Sequence, residues 1–217
     1  MAEIVVNETV VGEDASSARS GVWGTLAFWG LHGWVVAYCF VMLSAFFIQF
    51  VEGEFPCPLC MLQRYGMILS TLGALYVIMQ ARRGTLTTAG YAQGLGMGLI
   101  ASIAGSSVSV RQILLHIKPG DSGYGAPVLG LHLYTWAFIT FVIVMLYVGL
   151  MLMLMPRGIP VAPPVGAAAR GLSTAIIWVF LGVIAANVIA IIFLEGFAGV
   201  LPDDPESYNL IDQLTGR

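Results

Sequence analysis

Long stretches without a charged side chain recur along the chain: between Arg19 and Glu52, Arg83 and Arg111, Asp121 and Arg157, and Arg170 and Glu195. Each can hold the roughly 20 apolar residues that cross a bilayer. A fifth apolar run, Tyr65 to Ala81, is shorter and extends backwards through Leu59–Leu62. The pattern predicts five transmembrane helices, near 26–50, 59–81, 91–115, 129–155 and 173–195. Pro156, Pro160, Pro163 and Pro164 follow the fourth of these, end it and keep the next segment extended. Within the third, Gly94, Gly98, Ser102 and Ser106 recur at four-residue spacing, a face on which another helix approaches closely.

Composition agrees with the pattern. At 58% hydrophobic and 10% charged, the 217 residues cannot form an ordinary soluble domain. The net charge of -3, with no basic run, argues against a nucleic-acid partner. Basic residues near the membrane set the expected orientation. With the N-terminus cytoplasmic, Arg19, Arg82, Arg83, Arg157 and Arg170 fall inside, and the opposite loops hold Lys118. The first 20 residues are acidic and polar, and read as a cytoplasmic extension rather than a signal peptide. The far tail carries Asp203, Asp204, Glu206 and Asp212 and reads as a solvated extension, with docking of a basic partner as the alternative.

One cluster carries chemistry. Cys57-Pro58-Leu59-Cys60 places two thiols close enough to form and break a disulfide without large chain movement. It stands where a polar turn meets a membrane helix, and a helix N-terminus favours a thiolate. Arg64, one turn on, shares the helix face of Cys60, where its charge favours a thiolate and stabilises electron density on a bound acceptor. A snorkelling anchor is the alternative for Arg64 and for Arg111. Cys39 lies mid-helix in an apolar run and reads as packing. His116 and His132 flank the outward loop as interfacial side chains, with a cofactor contact by either as the alternative, while His32 reads as structural. Tyr134 and Trp136 fit an aromatic belt. Cys57, Cys60, His116 and His132 together would suit zinc if they converged.

The decade Phe55-Pro56-Cys57-Pro58-Leu59-Cys60-Met61-Leu62-Gln63-Arg64 resembles the bacterial disulfide-bond formation protein B family, whose members carry Cys-x-x-Cys and an arginine four residues later at the start of the second membrane helix. Arg111-Gln112-Ile113-Leu114-Leu115-His116 is similar to the basic-plus-amide end of the family's third helix, and Gly130, Leu131 and Trp136 fit loosely. The resemblance covers roughly residues 25–155. It implies an all-α membrane protein, a four-helix bundle core to which this chain adds a fifth transmembrane helix.

The expected layout is a cytoplasmic tail at 1–24, the four-helix domain at 25–155, a Pro-rich cytoplasmic linker at 156–172, the fifth helix at 173–195 and an acidic periplasmic tail at 196–217. By the same resemblance, Cys57 and Cys60 are the redox pair, with Cys60 nearer a bound ubiquinone or menaquinone. Arg64, Arg111 and His116 are the cofactor-binding candidates, and no metal is expected. The implied activity passes electrons from a periplasmic thiol protein to quinone in a bacterial inner membrane.

The family's second cysteine pair, which hands the disulfide outward, is missing: the loop Ile117–Leu129 contains no cysteine. Two readings therefore stand beside zinc. Either Cys57–Cys60 works alone on a docked partner, or the chain is an accessory or assembly subunit of a larger membrane complex with a static disulfide.

Overall fold

The computed structural model describes residues 22–160, 167–198 and 205–216. The expected N-terminal tail up to residue 21, linker positions 161–166 with Pro163 and Pro164, and 199–204 with Asp203 and Asp204 lie outside the described residues. Five long helices carry the fold. Helix α1 (Val22–Phe47) runs on into a wide π-type turn, Ile48–Glu52; α2 is Pro58–Arg83, α3 Thr88–Leu115, α4 Leu133–Leu154 and α5 Ala167–Glu195. A short α6, Asn209–Thr215, closes the chain.

Helices α1, α3, α4 and α5 are long and apolar enough to cross a membrane. This is an all-α membrane protein. Helix α2 matches the others in length but buries Gln63, Arg64, Ser70 and Thr71 against its neighbours. It is the most polar of the five because it carries its chemistry on an inward face.

Helices α2 and α3 form an antiparallel pair that sets the position of the site. Gly84, at φ 69°, ends α2 in the left-handed conformation glycine adopts without strain. Thr87 then caps α3, its Oγ1 accepting from Gly90 N at 3.0 Å. The two backbones meet through glycines. A Cβ on Gly73 would run into the Gly94 carbonyl, and one on Gly66 would come within 2.9 Å of Gly105 Cα. Ser70 joins the seam through Ser102 Oγ, at 2.7 Å. The buried stripe of α3 follows Gly94, Gly98 and Ser102 as the spacing predicts, then continues through Gly105, Ser109 and Gln112. Ser106 is only half-buried, because the stripe advances by three residues at that point. That shift aims Gln112 at the start of α2.

Helix α4 packs on α3, and α5 docks outside this core, mainly on α1. A polar lock fastens α5 at one end. His32 Nδ1 donates to Phe28 O at 2.9 Å, so its bare Nε2 accepts from Ser173 Oγ at 2.8 Å. Arg82 donates to Ser173 Oγ and Thr174 Oγ1 at 3.1 and 2.8 Å. Arg157 covers the Trp23 ring at the same end. The opposite end gathers the Cys57 turn, the loop between α3 and α4, and α6.

Candidate functional site

Cys57 is the N-cap of α2, with Pro58 at the first helical position, where its missing N–H costs nothing. Its Sγ accepts from Cys60 N at 3.3 Å and lies 2.9 Å from Cys60 Sγ, both cysteines being free thiols. The pair is therefore held within reach of a disulfide by the helix start itself. The Cys57 thiol is pushed up from its ordinary value, first by its hydrogen bond to Cys60 and then by burial. In the reduced pair Cys57 therefore favours its protonated form.

Gln112 of α3 completes the sulfur environment. Its Nε2 stands 3.4 Å from Cys57 Sγ and 3.5 Å from Cys60 Sγ, and its Oε1 accepts from Gln63 Nε2 at 2.8 Å. The bond from Gln63 fixes which end of the amide faces the thiols.

Arg64 is 7% exposed and has no carboxylate partner among the described residues. Its Nη1 donates to Gln49 Oε1 at 2.9 Å and its Nη2 to Ala45 O at 3.4 Å, and its guanidinium lies 5.1 Å from the Phe46 ring centre. The π-type turn at the end of α1 makes the first contact possible, because it buries Gln49 where a regular helix would continue outward. A buried cation held by neutral acceptors retains charge to offer to a ligand.

Cys60, Gln63 and Arg64 open onto an apolar cavity of about 310 Å³ between α1, α2 and α4. Val41, Ala45, Met67 and Ala137 form its apolar walls, and Phe55, Tyr134 and Trp136 its aromatic ones. The α3–α4 loop contributes Tyr124, Gly125, Val128 and Leu129. This loop is fastened over the cysteine turn. Glu54 accepts from Ala126 N at 3.1 Å, Tyr124 Oη donates to Phe55 O at 2.7 Å, and Trp136 Nε1 donates to Val128 O at 2.9 Å. Cys57 beneath it is 6% exposed.

The matched family model, disulfide bond formation protein DsbB, spans residues 27–124, which run from α1 through the cysteine turn and α3 into this loop. Through this segment the chain is similar to the DsbB family. Disulfide bond formation protein B of Azoarcus sp. is 34% identical over 40% of this chain and 51% of its own. That of Hahella chejuensis is 33% identical over 38% and 51%. Disulfide bond formation protein B 1 of Pseudomonas fluorescens is 28% identical over 52% and 82%. The chain spans about half the length of the first two. No solved structure matches. The DsbB match ends before α4, so the wall supplied by Tyr134, Trp136 and Ala137 lies beyond it, as do α5 and α6.

Of the residues singled out in the sequence, the fold brings Cys57, Cys60 and Arg64 together. Arg111 is exposed on α3 and is not a cavity wall, while its neighbour Gln112 is buried on the sulfurs. His116 stands aside from the cavity too. It pairs with Asp121 at 3.1 Å and stacks on Tyr134, on which His132 also stacks. Among the described residues no three His, Cys, Asp or Glu side chains group for a metal, so the zinc arrangement does not form. Gln49 was not legible as a site residue. Its signal would have been a lone amide in an apolar run, 15 positions from the arginine it binds. Gln112 stood in the Arg111–His116 motif, but its role depends on helix phase.

Proposed function

We propose that this protein is a membrane thiol–disulfide oxidoreductase in which the Cys57–Cys60 disulfide takes two electrons from an external dithiol and is re-oxidised by quinone. The observation that carries the reading is Cys60 and a buried, carboxylate-free Arg64 on the wall of one apolar cavity. The residues present fit a quinone. The walls suit an apolar ring, Arg64 supplies positive charge where an acceptor oxygen gains electron density, and Cys60 supplies the reducing sulfur. When bound, a quinone would accept the two electrons and two protons that leave the thiols as the disulfide closes.

The chain's own residues do the rest. An incoming thiolate attacks one sulfur, a mixed disulfide forms, and the partner's second thiol displaces it, leaving Cys57 and Cys60 reduced. Gln112 holds both sulfurs in register, and Cys57 retains its proton while Cys60 faces the cavity. Because the loop has no cysteine, the donor acts on this pair directly, after the Glu54–Ala126 and Tyr124–Phe55 contacts release. Arg111 and His116 are placed for the outer surface, where a donor docks.

The orientation that suits this chemistry has the cysteine turn periplasmic and the Arg82–Arg157 end cytoplasmic, in a bacterial inner membrane.

Purified protein in lipid nanodiscs, reduced and then mixed with a short-chain quinone, tests the reading. Trapping of free thiols should show re-oxidation by quinone that is lost in Cys60→Ser. A wild-type pair that stays reduced sinks the proposal. Intact cellular function after Cys57→Ser and Cys60→Ser would instead assign the chain to an accessory role in a larger complex.

A further inference from the structure

Tyr208 belongs to the C-terminal segment, far beyond the residues shared with the DsbB family, yet it packs against the site. The chain folds back after α5: Gly196 turns at φ 62°, and Gln213 Oε1 accepts from Phe197 N at 2.8 Å. Pro205 is buried, and the segment therefore docks rather than trailing into solvent as its acidity predicts. Tyr208 then makes two contacts. Its ring meets Phe55 edge-on, with centroids 5.0 Å apart, and its hydroxyl accepts from Gln49 Nε2 at 3.4 Å. Gln49 is the residue whose Oε1 receives Arg64 Nη1, and Phe55 and Arg64 are both cavity walls. Tyr208 is not.

A buried amide has two ends of opposite polarity, and each needs a partner. Arg64 satisfies the carbonyl of Gln49, and Tyr208 satisfies its NH₂. Without the second bond the amide is anchored at one end only, and the other hydrogen-bond acceptor holding Arg64 is a single carbonyl at 3.4 Å. We propose that Tyr208 is a positioning residue of the redox site: it holds Gln49 and Phe55 so that Arg64 stays aimed into the cavity. The fifth helix serves to deliver it there. This inference rests on the quinone-linked reading, and it gives a role to the part of the chain that the family match leaves over.

The test measures quinone-linked re-oxidation of Cys57 and Cys60 in nanodiscs, with dithiothreitol as donor and a short-chain ubiquinone as acceptor. Tyr208→Phe keeps the ring and removes the hydroxyl, and Tyr208→Ala removes both contacts. Loss of one hydrogen bond predicts a KM for quinone raised about two- to fivefold in Tyr208→Phe, with kcat changed less than about twofold. Tyr208→Ala should raise KM further, to about tenfold. Adding Tyr208→Phe to Gln49→Ala should cost nothing more, because both act through one contact. A wild-type KM in Tyr208→Ala, or effects of Tyr208→Phe and Gln49→Ala that add in full, overturns the inference alone. A wild-type protein that quinone cannot re-oxidise overturns the function and this inference together.

Discussion

Gln112 is the α3 residue that meets the two sulfurs. Its NH₂ group donates toward both, an interaction that favours the reduced pair over the disulfide. Gln112→Leu, at a hydrogen bond's net worth of about 0.5–1.5 kcal/mol, should lower the reduction potential of Cys57–Cys60 by about 10–30 mV. Equilibration in thiol redox buffers followed by alkylation measures this; an unchanged potential would remove Gln112 from the site. In the proposed reaction Arg64 acts on the acceptor side. Losing a charge-assisted bond predicts re-oxidation by quinone at least about tenfold slower in Arg64→Met, with reduction by dithiothreitol little changed. Stopped-flow measurement of the two half-reactions separates these effects. The arginine was legible because a charge in an apolar helix calls for a reason. The choice between Arg111 and Gln112 was not, because adjacent helical residues point about 100° apart and only the packing direction selects one.

The α2–α3 pair and the loop after it are the elements that hold this geometry. Gly73→Leu would drive a side chain into the backbone of α3, which cannot yield, and should cost about 1–3 kcal/mol or more. Gly96→Ala has nothing within 4 Å and should be nearly neutral. Unfolding midpoints in mixed micelles distinguish the two, and the spacing argument fails if both variants behave alike. The four-residue repeat in the sequence revealed the packing face. It could not reveal where the stripe advances by three, because the partner's glycines decide that.

The loop titrates at Asp121. Bonds from Gly123 N and then His116 hold its carboxyl below the usual aspartate range. A depressed value means the stabilisation is fully present above the ordinary aspartate pKa of about 4 and is lost as pH falls through the lowered one. Hydrogen exchange of residues 116–125, corrected for intrinsic rate, should therefore rise only in strong acid. In Asp121→Asn that pH dependence should vanish.

At the scale of the whole molecule, both faces of the site depend on parts remote in sequence: α4 and its loop on one side, Tyr208 on the other. The orientation proposed above predicts that a reporter active only in the periplasm works when fused after residue 216 and fails when inserted in the 161–166 linker. The reverse pattern would turn the cysteines to the cytoplasm and end the proposed chemistry.

The sequence by itself determined the class, the helices and the Cys-x-x-Cys motif, since apolar length, charge and a cysteine spacing are local properties. Helix α2 shows how far that reaches: its length was readable, but the need to bury its polar face was a matter for its neighbours. Only the tertiary structure decided that Gln112 rather than Arg111 meets the sulfurs, that Gln49 holds Arg64, and that the acidic tail returns to the site. Each is a contact between segments distant along the chain, set by helix phase and by how closely glycines let two backbones approach.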